Sequence, residues 1–146
     1  MKNQSKSKQL PIIGWREYLS LPELKITKIK AKIDTGARTS ALHAFDVKLE
    51  KQDQQTWVKF KVHPLQKDSK TTIECIAPLL EHRNVTNSGG HTQKRPVIIT
   101  PVKLGEYQWN IELTLTNRDV MGFRMLLGRQ AVKKKFLVDP NHSYHH

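Results

Sequence analysis

Cysteine, acidic residues and long apolar stretches are all scarce in this sequence of 146 residues. The single cysteine, Cys75, excludes an internal disulfide and a zinc site built from several cysteines. No apolar run approaches the roughly 20 residues that a transmembrane helix needs. The polar, basic start of the chain also lacks the apolar segment of a secretory signal. We therefore expect a protein of the cytoplasm without a membrane span, although a chain whose signal had been removed would look the same.

Basic residues are in excess, with 25 Lys and Arg against 13 Asp and Glu and a net charge of +12. Such an excess attracts nucleic acids and anionic lipids non-specifically. The lysines are spread over the N-terminal tail, positions 28–32 and the run 133–135. Because they mark no single site, solvated faces are favoured over a dedicated surface, and we expect no specific nucleic-acid partner.

Short stretches of alternating apolar and polar residues, separated by turn residues, run along most of the chain. They predict strands at 12–19, 29–33, 42–49, 57–62, 71–77, 79–85, 92–100, 109–116 and 123–127. Only the segment 129–135 has a helical pattern. Many short strands with one short helix favour an all-β domain that is closed or sandwiched. We expect one domain at 11–140, with a disordered tail at 1–10 and a C-terminal tail at 141–146.

One acid stands at the end of a predicted strand and is followed by a tight turn. Lysines at 28, 30 and 32 alternate with apolar residues, and the strand runs into Asp34, Thr35 and Gly36. Gly36 permits a tight, even left-handed turn, and the Thr35 hydroxyl can bond neighbouring backbone. Asp-Thr-Gly after an apolar strand resembles the catalytic turn of aspartic peptidases, whereas the three residues alone are also a common structural turn.

A hairpin is predicted between the arms 79–85 and 92–100. The residues that connect the arms are Asn87, Ser88, Gly89, Gly90 and His91, and Asn, Ser and paired glycines favour turns. The hairpin is therefore expected to be long and polar at its tip.

Motifs on both sides of Asp34 resemble a bacterial and archaeal family named "ATP-dependent zinc protease". That family is often encoded with RimK-type ATP-grasp ligases and has a retropepsin-like fold. The motifs lie at 14–17, 31–44, 88–91 and 115–122, and the match runs from about residue 12 to residue 144. In addition, Leu126, Leu127, Gly128 and Arg129 resemble the second half of the retropepsin signature, which supports the catalytic turn.

The resemblance implies an all-β, closed retropepsin-like barrel and the chemistry of an aspartic peptidase. Two carboxylates about 3 Å apart cannot both ionise, so they share a proton and can activate a water and protonate the intermediate. The chain offers one such carboxylate, Asp34, with Thr35 and Gly36 beside it. Catalysis would therefore require a homodimer in which Asp34 meets its copy across the two-fold axis.

The resemblance also implies a peptide or protein substrate under a flap formed by the hairpin. Basic residues around the cleft make acidic substrates such as poly-glutamyl chains candidates. The residues expected to contact the substrate are Arg38, Arg83, Ser88, Gly89, Gly90 and His91, of which Arg83 and His91 have the alternative of being merely solvated.

Arg38 departs from the viral retropepsin pattern. Viral enzymes usually have an acid at this position, which pairs with the arginine that corresponds to Arg129. Arg129 must then find another acid, such as Glu17 or Asp119, or the local packing differs. An alternative function is a catalytically silent retropepsin-like module that binds a peptide of a RimK-type ligase.

The residues give little support to the zinc and ATP of the family's name. Neither a His-Glu-x-x-His motif nor a glycine-rich phosphate-binding loop is present. Histidines 43, 63, 82 and 91 lack metal-ligand spacing, and those at 142, 145 and 146 are expected to bind metal only adventitiously. We therefore expect no metal site and no cofactor.

Overall fold

The computed structural model describes residues 9–65, 70–87, 89–118 and 122–146. In that part of the chain, strands alternate with turns, as the sequence predicts. The strands are β1 (Ile12–Gly14), β2 (Arg16–Leu21), β3 (Ile26–Asp34), β4 (Ser40–His43), β5 (Phe45–Gln52), β6 (Gln55–Val62), β7 (Ile73–Pro78), β8 (Glu81–Thr86), β9 (Thr92–Leu104), β10 (Tyr107–Thr116), β11 (Met125–Gly128) and β12 (Leu137–Asp139). The helices are a 3-10 turn (Pro22–Leu24) and α1 (Arg129–Val132).

Six strands form a partly closed barrel in the order β10-β4-β11-β3-β2-β9, and β9 returns to pair with β10. β2 and β9 have the fewest paired residues of any neighbours in the ring, since they pair only at Ser20 and Lys103. The predicted all-β, retropepsin-like class is confirmed, and the ring is partly rather than fully closed.

The barrel interior is filled by the apolar residues that alternate along its strands. In β3, Ile29, Ala31 and Ile33 are buried, whereas the lysines between them lie at or near the surface. The inward residues of β10, including Ile111 and Leu113, are buried in the same way. The period of two read from the sequence therefore identifies the core face of both strands.

The predicted hairpin is confirmed, and it extends β9 beyond the barrel. β8 pairs with the first half of β9, from Thr86 opposite Thr92 to Glu81 opposite Val97. At the tip, the Asn87 side chain accepts hydrogen bonds from the amides of Gly89 at 2.9 Å and His91 at 3.0 Å. Gly90 has a φ of 85°, a conformation that glycine adopts without strain. One side chain thus holds the described part of the turn.

Three segments differ from the prediction. The strand expected at 12–19 is two strands, because the chain bends at Trp15, whose amide donates to the carbonyl of His142 at 3.0 Å. The strand expected at 42–49 is divided at Ala44, whose amide donates to the carbonyl of Thr116 at 2.8 Å. The helix expected at 129–135 ends at Val132, and Lys134 then adopts a φ of 65°. Each break is fixed by a distant contact or by local backbone geometry.

A second sheet of three strands, in the order β5-β6-β7, covers one side of the core. Phe60 and Val62 of β6 and Cys75 of β7 are buried in that core. The Cys75 thiol donates to the carbonyl of Leu24 at 3.5 Å. Cys75 is thus a small residue of the core, as free cysteines usually are.

The last residues of the chain lie against its first strands. β12 pairs in parallel with β1, and the amide of Tyr144 donates to the carbonyl of Arg16 at 3.0 Å. The buried carboxylate of Glu17 accepts hydrogen bonds from the amides of Gly14, His145 and His146 at 2.7, 2.9 and 3.2 Å. Within the described residues, no helix has the length and apolar character that crossing a membrane would take.

Candidate active site

Asp34 ends β3 at the edge of a large cleft. The amide of Gly36 donates to its Oδ1 at 3.0 Å, and the amide of Ala37 donates to its backbone carbonyl at 3.2 Å. Gly36 closes this turn without a positive φ, so the left-handed conformation that the sequence allowed is not used. The first bond orients the half-buried carboxylate, and the second closes the backbone of the turn at the end of β3.

The predicted supporting segment lies directly beside this turn. β11 runs parallel to β3, so that Gly128 is opposite Asp34. The amide of Gly128 donates to the Ser40 hydroxyl at 3.0 Å, and the amide of Arg129 donates to the carbonyl of Ala37 at 2.7 Å. Leu126 and Leu127 are buried. The hydrogen bond between the Gly128 amide and the Ser40 hydroxyl joins β11 to the turn, so that Ser40 stabilises the turn.

Among the described residues, Arg129 binds the turn that follows Asp34 and forms no ion pair with an acid. Its Nη1 donates to the carbonyl of Thr35 at 3.1 Å. Glu17 is committed elsewhere, to three backbone amides, and Asp119 lies outside the described residues. Of the alternatives offered by the sequence, the pairing with Glu17 is wrong, whereas the pairing with Asp119 stays a prediction.

The cleft extends from this turn to the β8–β9 hairpin, with a volume of about 1400 Å³. Its lining is strongly basic. The acidic side chains in the lining are Asp34 and Glu112, whereas the basic ones are Arg38, Arg83, Arg95, Arg118, Arg129 and Lys135. A cleft of this charge concentrates anionic ligands.

The charge of Arg83 is neutralised within the protein. Its guanidinium lies 2.7 Å from the carboxylate of Glu81 and 2.8 Å from that of Glu112. Hydrogen bonds to Glu112 and Glu81 raise the pKa of Arg83 above its usual range. The structure shows Arg83 already paired with two carboxylates. A contact between Arg83 and a substrate therefore stays a prediction.

Of the other residues predicted to contact the substrate, some line the cleft and some do not. Arg38 is exposed and lines the cleft, as does Gly89 at the hairpin tip. Gly90 and His91 are exposed and are not part of the lining, and Ser88 lies outside the described residues. Substrate contacts by these residues therefore remain predictions.

Sequence reasoning missed several cleft residues, among them Arg95 and Arg118. Arg95 is buried and shares the inward side of its strand with Val97. The alternation of β9 could have revealed this position, but an arginine is normally expected to face solvent.

Asp139, His142 and His145 form the group of side chains best suited to hold a metal among the described residues. Their ligand atoms all lie within 4.8 Å of one another, and Asp139 Oδ2 is 2.5 Å from His142 Nδ1 and 3.9 Å from His145 Nε2. Two imidazole nitrogens and a carboxylate oxygen fit Zn²⁺. The spacing Asp-x-x-His-x-x-His was missed because the histidines were considered without Asp139. None of the three residues belongs to the lining of the cleft that contains Asp34.

A partly closed six-stranded barrel, with an Asp-Thr-Gly turn supported by a second strand and a hairpin beside the cleft, defines a retropepsin-like protein. The chain belongs to the family described as "Retropepsin-like aspartic endopeptidase RimB", whose family model matches residues 12–146. The family resemblance found in the sequence is thereby confirmed.

Similar proteins include two named "Probable alpha-L-glutamate ligase". The one from Desulfotalea psychrophila is 49% identical over 129 residues, which cover 88% of this chain and 28% of that protein. The one from Parasynechococcus marenigrum is 50% identical over 133 residues, which cover 91% and 28%. The chain thus spans less than a third of the length of these relatives.

A solved structure shares the fold. It is the crystal structure of a protein of unknown function from Legionella pneumophila, with a TM-score of 0.78 and 25% identity. The comparison covers 94% of this chain and 98% of that one, so the whole barrel and its hairpin belong to a shared architecture.

Proposed function

We propose that the protein is a retropepsin-type aspartic endopeptidase that hydrolyses a peptide or isopeptide bond of an acidic substrate as a homodimer. The observation that carries the proposal is the carboxylate of Asp34, which the Gly36 amide fixes at the edge of a large basic cleft. Hydrolysis by this route needs a second carboxylate. The described structure supplies one Asp-Thr-Gly turn per chain, so the second comes from a copy of the same chain.

In the proposed dimer, the two Asp34 carboxyl groups share one proton. The ionised carboxylate removes a proton from a water, which attacks the carbonyl carbon, while the protonated group donates its proton to the carbonyl oxygen. Collapse of the tetrahedral intermediate then breaks the C–N bond: the leaving nitrogen takes up the proton that the first carboxylate removed from the water, and a hydroxyl proton of the intermediate returns to the other carboxylate, so that the pair again shares one proton. Because the Gly36 amide bonds Oδ1, Oδ2 is available for the water and the partner carboxyl group.

The surface around Asp34 supports an approach by a second copy. Thr35 and Gly36 are exposed, although the turn that contains them is fixed by β11 and Arg129. A rigid, exposed turn of this kind can meet its copy across a two-fold axis without rearrangement. The same axis would bring two basic clefts together into one binding channel.

Acidic peptides such as poly-glutamyl chains match the charge of the cleft. The relatives from Desulfotalea and Parasynechococcus carry the matched region within a longer chain named a glutamate ligase. A peptidase that works with a RimK-type ligase would meet glutamyl products of that ligase. The basic charge of the cleft and the proposed association with a ligase therefore both favour glutamyl peptides as the substrate class.

The test compares three peptides of equal length, made of α-linked glutamate, γ-linked glutamate and uncharged residues, between about pH 3 and 8. Products are identified by mass spectrometry, and Asp34→Asn is the matched control because it keeps the size of the side chain. We expect hydrolysis of a glutamyl peptide by the wild type and none by the variant. Equal hydrolysis by both proteins would refute the role of Asp34.

A non-catalytic peptide-binding module is the second candidate, because the curated relatives are named ligases and not peptidases. It predicts that wild type and Asp34→Asn bind a glutamyl peptide with equal affinity and that neither protein hydrolyses it. Isothermal titration of both proteins, followed by mass spectrometry of the recovered peptide, separates the two functions.

A further inference from the structure

Arg95 is a buried cation in the wall of the cleft. Its side chain is 7% exposed, although it belongs to the lining that also contains Asp34. Its Nε donates to Gln93 Oε1 at 2.9 Å, and its Nη1 lies 3.5 Å from Thr114 Oγ1. Both acceptors are neutral, and no carboxylate of the described residues forms an ion pair with Arg95.

An uncompensated buried charge is costly, and proteins normally pair it or omit it. A guanidinium has five N–H donors, of which the described contacts of Arg95 occupy two. Burial, together with the nearby charge of Arg118, lowers the pKa of Arg95. Among the described residues, Arg95 is therefore a cation that no carboxylate neutralises and that has donors left over.

The guanidinium is also held in position from two sides. Gln93 Oε1, which accepts from Arg95, accepts in addition from Thr116 Oγ1 at 2.9 Å. Thr114 Oγ1 donates to the carbonyl of Ser40 at 2.8 Å, next to the catalytic turn. A preorganised donor group loses little freedom when it binds a ligand, which increases affinity.

We propose that Arg95, with Arg118 beside it, forms a subsite that binds a side-chain carboxylate of the substrate. The planar fork of an arginine matches both oxygens of a carboxylate. Arg118 is exposed and lines the same cleft, so it supplies the second charge. Arg83 is less suited, since Glu81 and Glu112 already neutralise it. The proposal rests on the proposed function and adds the groups that select an acidic residue.

The first experiment measures binding without turnover, in the Asp34→Asn background, by fluorescence anisotropy. The probes are a labelled glutamyl peptide and the same peptide with glutamine at each position. We expect Arg95→Gln to weaken binding of the glutamyl peptide by roughly tenfold or more, because a hydrogen bond to a charged group is lost. Arg118→Gln should weaken it less, and Arg95→Lys should restore part of it, since Lys keeps the charge but not the fork.

Lys94→Gln is the matched control, because Lys94 is exposed next to Arg95 in the chain and is not part of the cleft lining. It should leave the affinity nearly unchanged. Binding of the glutamine peptide should be the same in all variants, which also verifies that they are folded. Equal affinities of Arg95→Gln and its parent for the glutamyl peptide would overturn the proposal, as would an equal loss for both peptides.

The second experiment separates this proposal from the proposed function. It measures kcat/KM for the two peptides with intact Asp34. If hydrolysis requires Asp34 but Arg95→Gln keeps the preference for glutamate, the proposed subsite is refuted and the proposed peptidase function is retained. If nothing is hydrolysed but binding of the glutamyl peptide requires Arg95, the peptidase is wrong and the subsite stands.

Discussion

Gly128 and Thr39 are in such close contact that a Cβ on Gly128 would lie 2.6 Å from both the carbonyl carbon and the carbonyl oxygen of Thr39. The carbonyl of Ala37 would be 3.0 Å from the same Cβ. All three neighbours are backbone atoms of the segment that follows Asp34, so none can rotate away. The close approach of β11 to the segment that follows Asp34 therefore requires glycine at this position.

Gly128→Ala is expected to lower the free energy of unfolding by about 1–3 kcal/mol, the usual range for an overpacked site. It should also displace the turn and abolish hydrolysis. Urea unfolding followed by fluorescence measures the first effect. Gly89→Ala is the control for stability, because a Cβ there would have its nearest neighbour, Asn87 Oδ1, at 3.4 Å. Equal stability of Gly128→Ala and wild type would contradict the proposed contact.

Glu17→Gln is expected to cost about 2 kcal/mol of stability, because the buried carboxylate accepts three backbone amides and bonds to a charged group are the stronger ones. The amides of His145 and His146 should then exchange hydrogen faster, which mass spectrometry of the C-terminal peptide measures. Glu74→Gln, an exposed change on β7, should alter neither quantity. Unchanged exchange in Glu17→Gln would show that this carboxylate does not anchor the C-terminal residues.

Burial raises the pKa of Cys75 from 9.0 to about 11. The unfolded thiol therefore loses its proton at a lower pH than the folded one, and ionisation favours the unfolded state. The contribution of Cys75 to stability should be complete below about pH 9 and should disappear as the pH rises toward 11. Urea unfolding of wild type and of Cys75→Ala measures this contribution as the difference between their free energies of unfolding. A difference that stays constant from pH 8 to 11 would be inconsistent with the burial of this thiol.

Zn²⁺ is expected to bind at Asp139, His142 and His145 without being needed for hydrolysis, because these residues do not line the cleft. Calorimetric titration with Zn²⁺ should show weaker binding, by about tenfold or more, in His142→Ala and His145→Ala. His82→Ala, which removes an exposed histidine of β8, should bind as the wild type does. Removal of metal with EDTA should leave the rate of peptide hydrolysis unchanged. Loss of hydrolysis that Zn²⁺ restores would require a metal in the mechanism.

The strands with the strongest alternation, β3 and β10, could be predicted because burial of one face imposes a period of two. The turn at Asp34, Thr35 and Gly36 could be predicted because its residue types are demanding: a short acid, a hydroxyl and a glycine. The strand breaks at Trp15 and Ala44 could not, because each depends on a hydrogen bond to a residue far along the chain. In β5, alternation identifies a strand that has no buried face, since Val47 and Leu49 are 38% and 49% exposed.

The charged residues of the site were harder to predict than its turn. Sequence reasoning chose Arg38 and Arg83 as substrate contacts, and the second of these is paired within the protein. Arg95 was missed because its environment is created by the pairing of β9 with β10, which brings it to Thr114, and by the carbonyl of Ser40, which is far away in sequence. Whether a cation is compensated depends on such tertiary neighbours, which the local pattern does not contain.

The central claim, that two copies of Asp34 form one active centre, is tested most directly by mixed dimers. Wild type and Asp34→Asn are combined in equal amounts, refolded together so that chains pair at random, and assayed with a glutamyl peptide. If each active centre needs both carboxylates, about one quarter of the activity of the same total amount of wild type remains, because only dimers of two wild-type chains are active. If about one half remains, each chain works alone, and the account is contradicted.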